Sequence, residues 1–197
     1  MKIPLLACLA LVPALAVLPA CGKTVKREDV NTVRDLSGNW NDTDSRLTAE
    51  ALSVDALKHP WIDTYTAKHV GKKPVVKVGK IVTRTNGDVI NTEIFTNDLL
   101  RAFINSGKVE AVGGGNDAEQ IRQERSEQDK NASEATRKES FQETGADFLL
   151  TGSINVADDQ EGGDKVKFYS VDLKLVDITS AKQVWLGNHK IKKFVER

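Results

Sequence analysis

The most constraining feature of this sequence is a run of alternating side chains at residues 145–156. Large apolar residues recur there with a period of two, namely Phe148, Leu150, Ile154 and Val156, and Gly152 takes the position between Leu150 and Ile154. Because successive side chains of a strand point to opposite faces, this period predicts a strand with one face in a core. Two further alternating runs follow, at residues 169–175 and 184–191. The sequence therefore predicts a central strand that leads into a β-meander.

An earlier strand is predicted at residues 75–83, where β-branched and apolar residues dominate. The helix after it has the clearest helical pattern in the chain, because its apolar residues recur at i, i+4, i+7 and i+8. These residues are Phe95, Leu99, Ala102 and Phe103. Asn91 or Thr92 can cap its start, and Gly107 stands where the left-handed residue after a helix belongs. We expect Phe103 to lie in the core.

A first helix is predicted to begin within residues 41–44 and to stop at Pro60. Its apolar stripe has helical spacing and consists of Leu47, Ala51 and Val54. Residues 61–74 are predicted to form a loop.

Further along, residues 108–112 predict a short strand. The glycines at 113–115 predict a flexible turn rather than a phosphate-binding loop, because neither G-x-G-x-x-G nor Gly-Lys-Ser/Thr is present. The charged residues 116–143 predict two helices broken near residues 129–131. The predicted fold class is α/β, with a single mixed β-sheet in the order β-α-β-α-α-β-β-β and helices packed on it. Its first crossovers should be parallel and its last three strands antiparallel.

The N-terminus predicts a bacterial lipoprotein signal peptide at residues 1–20. Lys2 is followed by an apolar stretch that prolines interrupt, too short for a transmembrane helix of about 20 residues. The stretch ends with Leu18, and Ala20 precedes Cys21. This boundary resembles the lipobox, at which the Cys sulfur is acylated and the chain is cut before it. An ordinary secretory signal with an incidental Cys is the alternative.

Acylation would explain the lone thiol of the mature chain. The sequence has two cysteines, and Cys8 lies in the segment to be removed, so Cys21 has no partner for a disulfide. Acyl chains contribute about 0.8 kcal/mol per buried methylene and would hold the chain at a membrane. Residues 21–36 are predicted as lipidated Cys and polar tether, and residues 37–197 as the globular domain, on which Trp40 packs.

The composition and motifs exclude several function classes. The chain has 28 basic and 28 acidic residues, which gives no support to a nucleic-acid partner. It lacks G-x-S-x-G and H-E-x-x-H, and no mature cysteine is available as a nucleophile. His59 and His69 lack the spacing of a metal pair, and the acidic residues 158–164 predict a hairpin loop rather than a calcium loop. No catalytic residue, cofactor or metal is predicted.

Six short motifs together resemble the penicillin-binding protein activator LpoB family. They share the order and spacing of that family from about residue 32 onwards. The motifs are the signal that ends at Cys21 and residues 36–42, 84–87, 104–108, 143–148 and 184–187.

The resemblance implies a non-enzymatic, monomeric outer-membrane lipoprotein that faces the periplasm, with a domain like the N-terminal domain of TolB. It also implies a class A penicillin-binding protein as partner and a function in activating peptidoglycan synthesis. The tether departs from the family's long Pro-rich tether, since its 15–20 residues span only about 50–70 Å when extended. Two alternatives are a periplasmic adaptor of a TolB-like or curli-secretion-like assembly and an enzyme such as a peptidoglycan hydrolase.

The loop after the first predicted strand is our candidate contact with the partner. It contains Arg84, Thr85 and Asn86. Arginine is common at interface hot spots and can grip a carboxylate with two hydrogen bonds. The alternative is that Asn86 and Gly87 serve only the turn and that Arg84 is solvated.

Overall fold

In the computed structural model, the described residues are 23–85, 87–112, 116–136 and 143–196, without the side chains of residues 116 and 117. Contacts group the chain from Val33 onwards into one compact unit. The elements in chain order are α1 (Asp42–Lys58), α2 (Trp61–Lys68), β1 (Val75–Arg84), α3 (Thr92–Asn105), β2 (Glu110–Ala111), α4 (Asn116–Asn131), β3 (Phe148–Glu161), β4 (Asp164–Asp177) and β5 (Gln183–Val195). No described helix combines the length and the apolar composition that crossing a bilayer requires.

The described strands form one mixed sheet in the order β2-β1-β3-β4-β5. β1 runs parallel to β2 and β3, with α3 and α4 in the connections. β3, β4 and β5 are antiparallel, and β3 and β4 meet at a turn of Gly162 and Gly163. Both glycines have positive φ, at 61° and 108°, a conformation that other residues adopt at a cost. The predicted α/β class, parallel crossovers and meander are confirmed. The predicted hairpin loop at residues 158–164 is shorter than expected, because β3 continues to Glu161 and β4 starts at Asp164.

The core lies between one face of the sheet and the helices α1 and α3. On α3, Phe95, Leu99 and Phe103 are each at most 1% exposed, so the predicted helix and the core position of Phe103 are confirmed. Asn91 caps α3 by accepting a hydrogen bond from the Glu93 N–H, and Gly107 has the expected positive φ of 66°. Burial of each such side chain stabilises the fold by about 1.5–3 kcal/mol.

The predicted buried stripe of α1 is wrong. Leu47 and Val54 are 43% and 44% exposed, and Ala51 is exposed as well. The buried face of the helix body consists of the small residues Ser45, Thr48, Ala49, Ser53 and Ala56 together with Leu52. Small side chains let a helix approach its neighbours closely, so this face packs against α3 and β5 although it is less apolar. A stripe of large residues was therefore the wrong signal for this helix.

The predicted loop at residues 61–74 is also wrong in its first half, where α2 forms. Pro60 stands at the N-cap with φ −63°, a position that suits proline because no intrahelical N–H is needed there. Trp61 is 4% exposed, and its ring N–H donates to the Ala56 carbonyl at 2.8 Å. Its ring centroid lies 5.0 Å from that of Phe148. Packing against β3 therefore stabilises a helix that is too short to persist alone.

Of the two helices predicted in residues 116–143, the first is observed as α4, which ends at Asn131 near the predicted break. Residues 133–136 form a turn, in which the Thr136 N–H donates to the Ser133 carbonyl at 3.0 Å. The predicted second helix therefore does not begin within residues 132–136, and residues 137–142 lie outside the described residues. The predicted turn at residues 113–115 lies outside them as well.

Two lysines bind the segment before α1 to the sheet. Lys167 Nζ donates to Asn39 Oδ1 at 2.6 Å and pairs with Asp88, while Lys193 Nζ lies 2.7 Å from both Asp35 and Asp44. These contacts hold residues 35–44 and 88 at the hairpin end of the sheet. We call this group of ion pairs the lysine clamp.

The clamp shifts the acidity of its members. Burial alone would raise the pKa of Asp88, but hydrogen bonds from Lys167 and Tyr169 outweigh it, and the pKa lies below the usual value. The pKa of Lys193 is raised because its hydrogen bonds to Asp35 and Asp44 outweigh the opposing effect of burial. The Tyr169 hydroxyl lies 2.8 Å from both the Gly38 carbonyl and Asp88 Oδ2. Trp40 packs on the Tyr169 ring with centroids 5.5 Å apart, which confirms its predicted packing on the domain.

Candidate docking surface on the open face of the sheet

The sheet face opposite α1 and α3 carries the candidate site. In an antiparallel ladder, directly paired residues point to the same face, so the register assigns each side chain. Three adjacent rows of this face form the candidate site. Their members are Arg84, Asn155, Ser170 and Lys190; Val82, Ser153, Asp172 and Asn188; and Thr151, Lys174 and Leu186. We call these rows the open face.

The centre of the open face is a hydrogen-bonded network around Asp172. The Asn188 side-chain amide donates to Asp172 Oδ1 at 2.6 Å, and the Asn155 amide donates to Asp172 Oδ2 at 3.2 Å. The Ser170 hydroxyl donates to the same Oδ2 at 3.1 Å. Neutral donors from three strands therefore satisfy this carboxylate and fix the side chains around it before any partner arrives.

The charge and apolar surface of the open face suit protein recognition. Arg84, Lys174 and Lys190 surround the single carboxylate of the three rows, whereas the chain as a whole has no net charge. Leu186 is 67% exposed and Val82 is 42% exposed beside them. A concavity of about 430 Å³ lies between these residues. Basic groups around exposed aliphatic side chains match an acidic partner surface that has an apolar centre.

The three predicted contact residues have different positions in the structure. Arg84 is the exposed last residue of β1 and belongs to the open face. The Thr85 hydroxyl donates to the Asp88 carbonyl at 2.7 Å, so this side chain stabilises the loop. Asn86 and the predicted lipidation site Cys21 lie outside the described residues.

Sequence reasoning identified Arg84 but missed Asp172, Asn188 and Leu186 as its neighbours on one surface. The alternation of polar residues along the last strands predicted that one face of the sheet is polar. It did not predict that this face stays uncovered, because that depends on where the helices pack. The register between strands was needed as well.

The fold is an α/β domain with one five-stranded mixed sheet, and the open face is its candidate docking surface. The sequence model of the peptidoglycan-synthase activator LpoB family matches residues 44–191, which is more than half of the chain. The chain belongs to this family. Its members are activator proteins, not enzymes. No curated protein matches the chain in a direct sequence comparison.

Several solved structures are similar in fold. The LpoB C-terminal domain of Salmonella enterica is 17% identical and has a TM-score of 0.42, and the alignment covers 76% of this chain and 99% of that one. An NMR structure of Escherichia coli LpoB is 17% identical with a TM-score of 0.43, and 92% and 84% of the two chains are covered. Lipoprotein GNA1162 of Neisseria meningitidis is 16% identical with a TM-score of 0.38, and 61% and 83% are covered.

Proposed function

We propose that this protein is an outer-membrane lipoprotein that binds and activates a class A penicillin-binding protein through the open face of its sheet. The observation that carries the proposal is the family match over residues 44–191 together with an exposed, preorganised sheet face. An adaptor function in another envelope assembly is the alternative, and the family match favours the activator. The partner surface should be acidic around an apolar centre, because Arg84, Lys190 and Leu186 are exposed on the same open face.

The proposed anchor is the acylated Cys21, with the domain facing the periplasm. The lysine clamp shortens the tether, since residues from Asp35 onwards are bound to the domain. The segment between the proposed anchor and the clamp is then residues 22–34, which can span at most roughly 45 Å at about 3.3–3.6 Å per residue. The domain therefore works close to its membrane, and the synthase has to extend towards it.

The test is a titration of the purified class A synthase against the full chain in detergent. Arg84→Ala should weaken binding at least tenfold, about 1.4 kcal/mol, with an unchanged melting temperature. Lys190→Glu should weaken it further, because it reverses a charge on the same row. Arg101→Ala is the matched control, since Arg101 is 66% exposed on α3 and pairs with Asp98 one turn earlier on the same helix.

The control variant should bind and activate the synthase as the unaltered chain does. If Arg84→Ala and Lys190→Glu both keep the original affinity, the open face is not the contact. If the unaltered chain neither binds the synthase nor stimulates its glycan polymerisation, the proposed partner is wrong.

A further inference from the structure

A second concave site lies at the end of the domain away from the lysine clamp. α2 and the turn between β4 and β5 enclose a cavity of about 480 Å³. Its lining includes Trp61, Tyr65, Lys68, His69, Phe148 and Lys182, which we call the aromatic cleft. Sites that bind small ligands or short peptides typically have volumes in this range.

The floor of the cleft is rigid. The Tyr65 ring packs edge-on against Phe148 with centroids 5.6 Å apart. The Tyr65 hydroxyl donates to Asp147 Oδ2 at 2.8 Å, and the same oxygen accepts the Val75 N–H at 2.8 Å. Burial and the neighbouring Asp147 carboxylate raise the pKa of Tyr65 to about 12, so the phenol stays neutral at physiological pH. The aromatic surface is therefore formed before a ligand binds.

The rim of the cleft is basic. Among the described residues, the exposed ammonium groups of Lys68 and Lys182 have no hydrogen-bonded or ion-paired partner. Asp177 is the carboxylate of the described lining, and its Oδ1 accepts the Ser180 N–H at 2.7 Å. Hydrogen bonds from the backbone of Ser180 hold the pKa of Asp177 below its usual value. Asp177 is thus bound to its own turn, and the charge of Lys68 also lowers its pKa. Both lysines remain exposed and can bind an anion.

The cleft is remote from the attachment of the tether. The cleft contains Phe148 at the start of β3, whereas the clamp residue Lys167 lies opposite Asp158, which is ten residues further along β3. At about 3.3 Å per residue, this length of strand is about 33 Å. A domain held by its N-terminal segment therefore presents the cleft at its far end.

We propose that the aromatic cleft binds the short carboxylate-bearing peptide stems of peptidoglycan. The proposal rests on the proposed function, because an activator of a wall synthase works beside these peptides. Their chemistry fits the cleft, since small methyl side chains can cover the aromatic floor while free carboxylates pair with Lys68 and Lys182. A cavity of this volume holds a ligand of a few residues. A folded protein partner would usually need a contact surface of about 800 Å² on each side.

The probe is a soluble disaccharide-tetrapeptide from peptidoglycan, titrated by calorimetry into the full chain in detergent. We expect saturable binding that Lys68→Ala/Lys182→Ala weakens at least tenfold. Lys72→Ala/Lys73→Ala is the matched control, since it removes the same charge from exposed positions of the neighbouring segment outside the lining. The same probe with its carboxylates amidated should bind at least tenfold more weakly.

The inference is overturned if the probe shows no saturable binding, if the two double variants weaken binding equally, or if the amidated probe binds with equal affinity. A linear acidic protein peptide that binds more tightly than the probe would also overturn it and assign the cleft to a protein partner.

The synthase titration separates this inference from the proposed function. Lys68→Ala/Lys182→Ala should keep full affinity for the synthase, because both lysines lie outside the open face. Loss of synthase binding in this variant would make the cleft part of the synthase contact and reject the peptide-stem assignment. Retained probe binding in Arg84→Ala would support the cleft even if the synthase proposal fails.

Discussion

Replacing Lys167 with Met should destabilise the domain strongly at neutral pH. Lys167 is 4% exposed, and its ammonium group contacts Asp88 and Asn39 in the lysine clamp. Methionine keeps an unbranched side chain of similar length and removes the charge and the hydrogen bonds. The change therefore leaves little cavity and isolates the electrostatic contribution.

The magnitude follows from the burial of the pair. The side chains of Lys167 and Asp88 are 5% and 12% exposed, and removal of one partner from a buried pair typically costs about 3–5 kcal/mol. Asp88 keeps the contact with the Tyr169 hydroxyl, so we expect the lower end, about 3 kcal/mol. For a domain of this size, that lowers the melting temperature by about 6–12 °C.

The pH dependence of this loss of stability tests whether Asp88 is the carboxylate that Lys167 stabilises. The pKa of Asp88 is lowered in the folded state, so its contribution is present above the unfolded pKa near 4 and is lost as the pH falls through the folded pKa. In Lys167→Met, burial without the ammonium group should raise that pKa instead. The difference in unfolding free energy between the two proteins should therefore be largest near pH 7 and should narrow towards pH 3.

The assay is denaturant unfolding at several pH values between 7 and 3. Lys192→Met is the control, because Lys192 is an exposed lysine of β5, and surface substitutions usually change stability by at most about 0.5 kcal/mol. Other acidic groups titrate alike in both proteins and cancel in the difference. A loss for Lys167→Met that is no larger than the control, or one that is the same at pH 7 and pH 3, would refute the reasoning.

Three further changes test the core, the sheet and the anchor. Phe103→Ala should cost about 3–5 kcal/mol in denaturant melts, because the ring is 1% exposed, and a loss below about 1 kcal/mol would contradict its packing. Gly152→Ala should destabilise by about 3 kcal/mol or more, since the new Cβ would lie 2.0 Å from the Asp172 carbonyl oxygen, and an unchanged melting curve would contradict this close approach. Cys21→Ala should move the protein from the membrane to the soluble fraction, and retention on membranes washed in high salt would place the anchor elsewhere.

The sequence by itself determined the elements whose signal is local and strong. The alternation from Phe148 onwards predicted β3, and the helical spacing of Phe95, Leu99 and Phe103 predicted α3. Caps such as Asn91 and Gly107 depend only on neighbouring backbone groups, so they could be read from the chain. The family motifs added the expected fold and partner.

The tertiary structure alone decided which surfaces are buried and which are open. α1 buries a small-residue face because α3 and β5 lie close to it, and α2 forms because Trp61 packs against Phe148. A lysine in a strand is ordinarily solvated, yet Lys167 is buried because Asp88 and Asn39, 79 and 128 residues away in sequence, meet it. Periodicity is a property of neighbours along the chain, whereas burial depends on residues that only folding brings together.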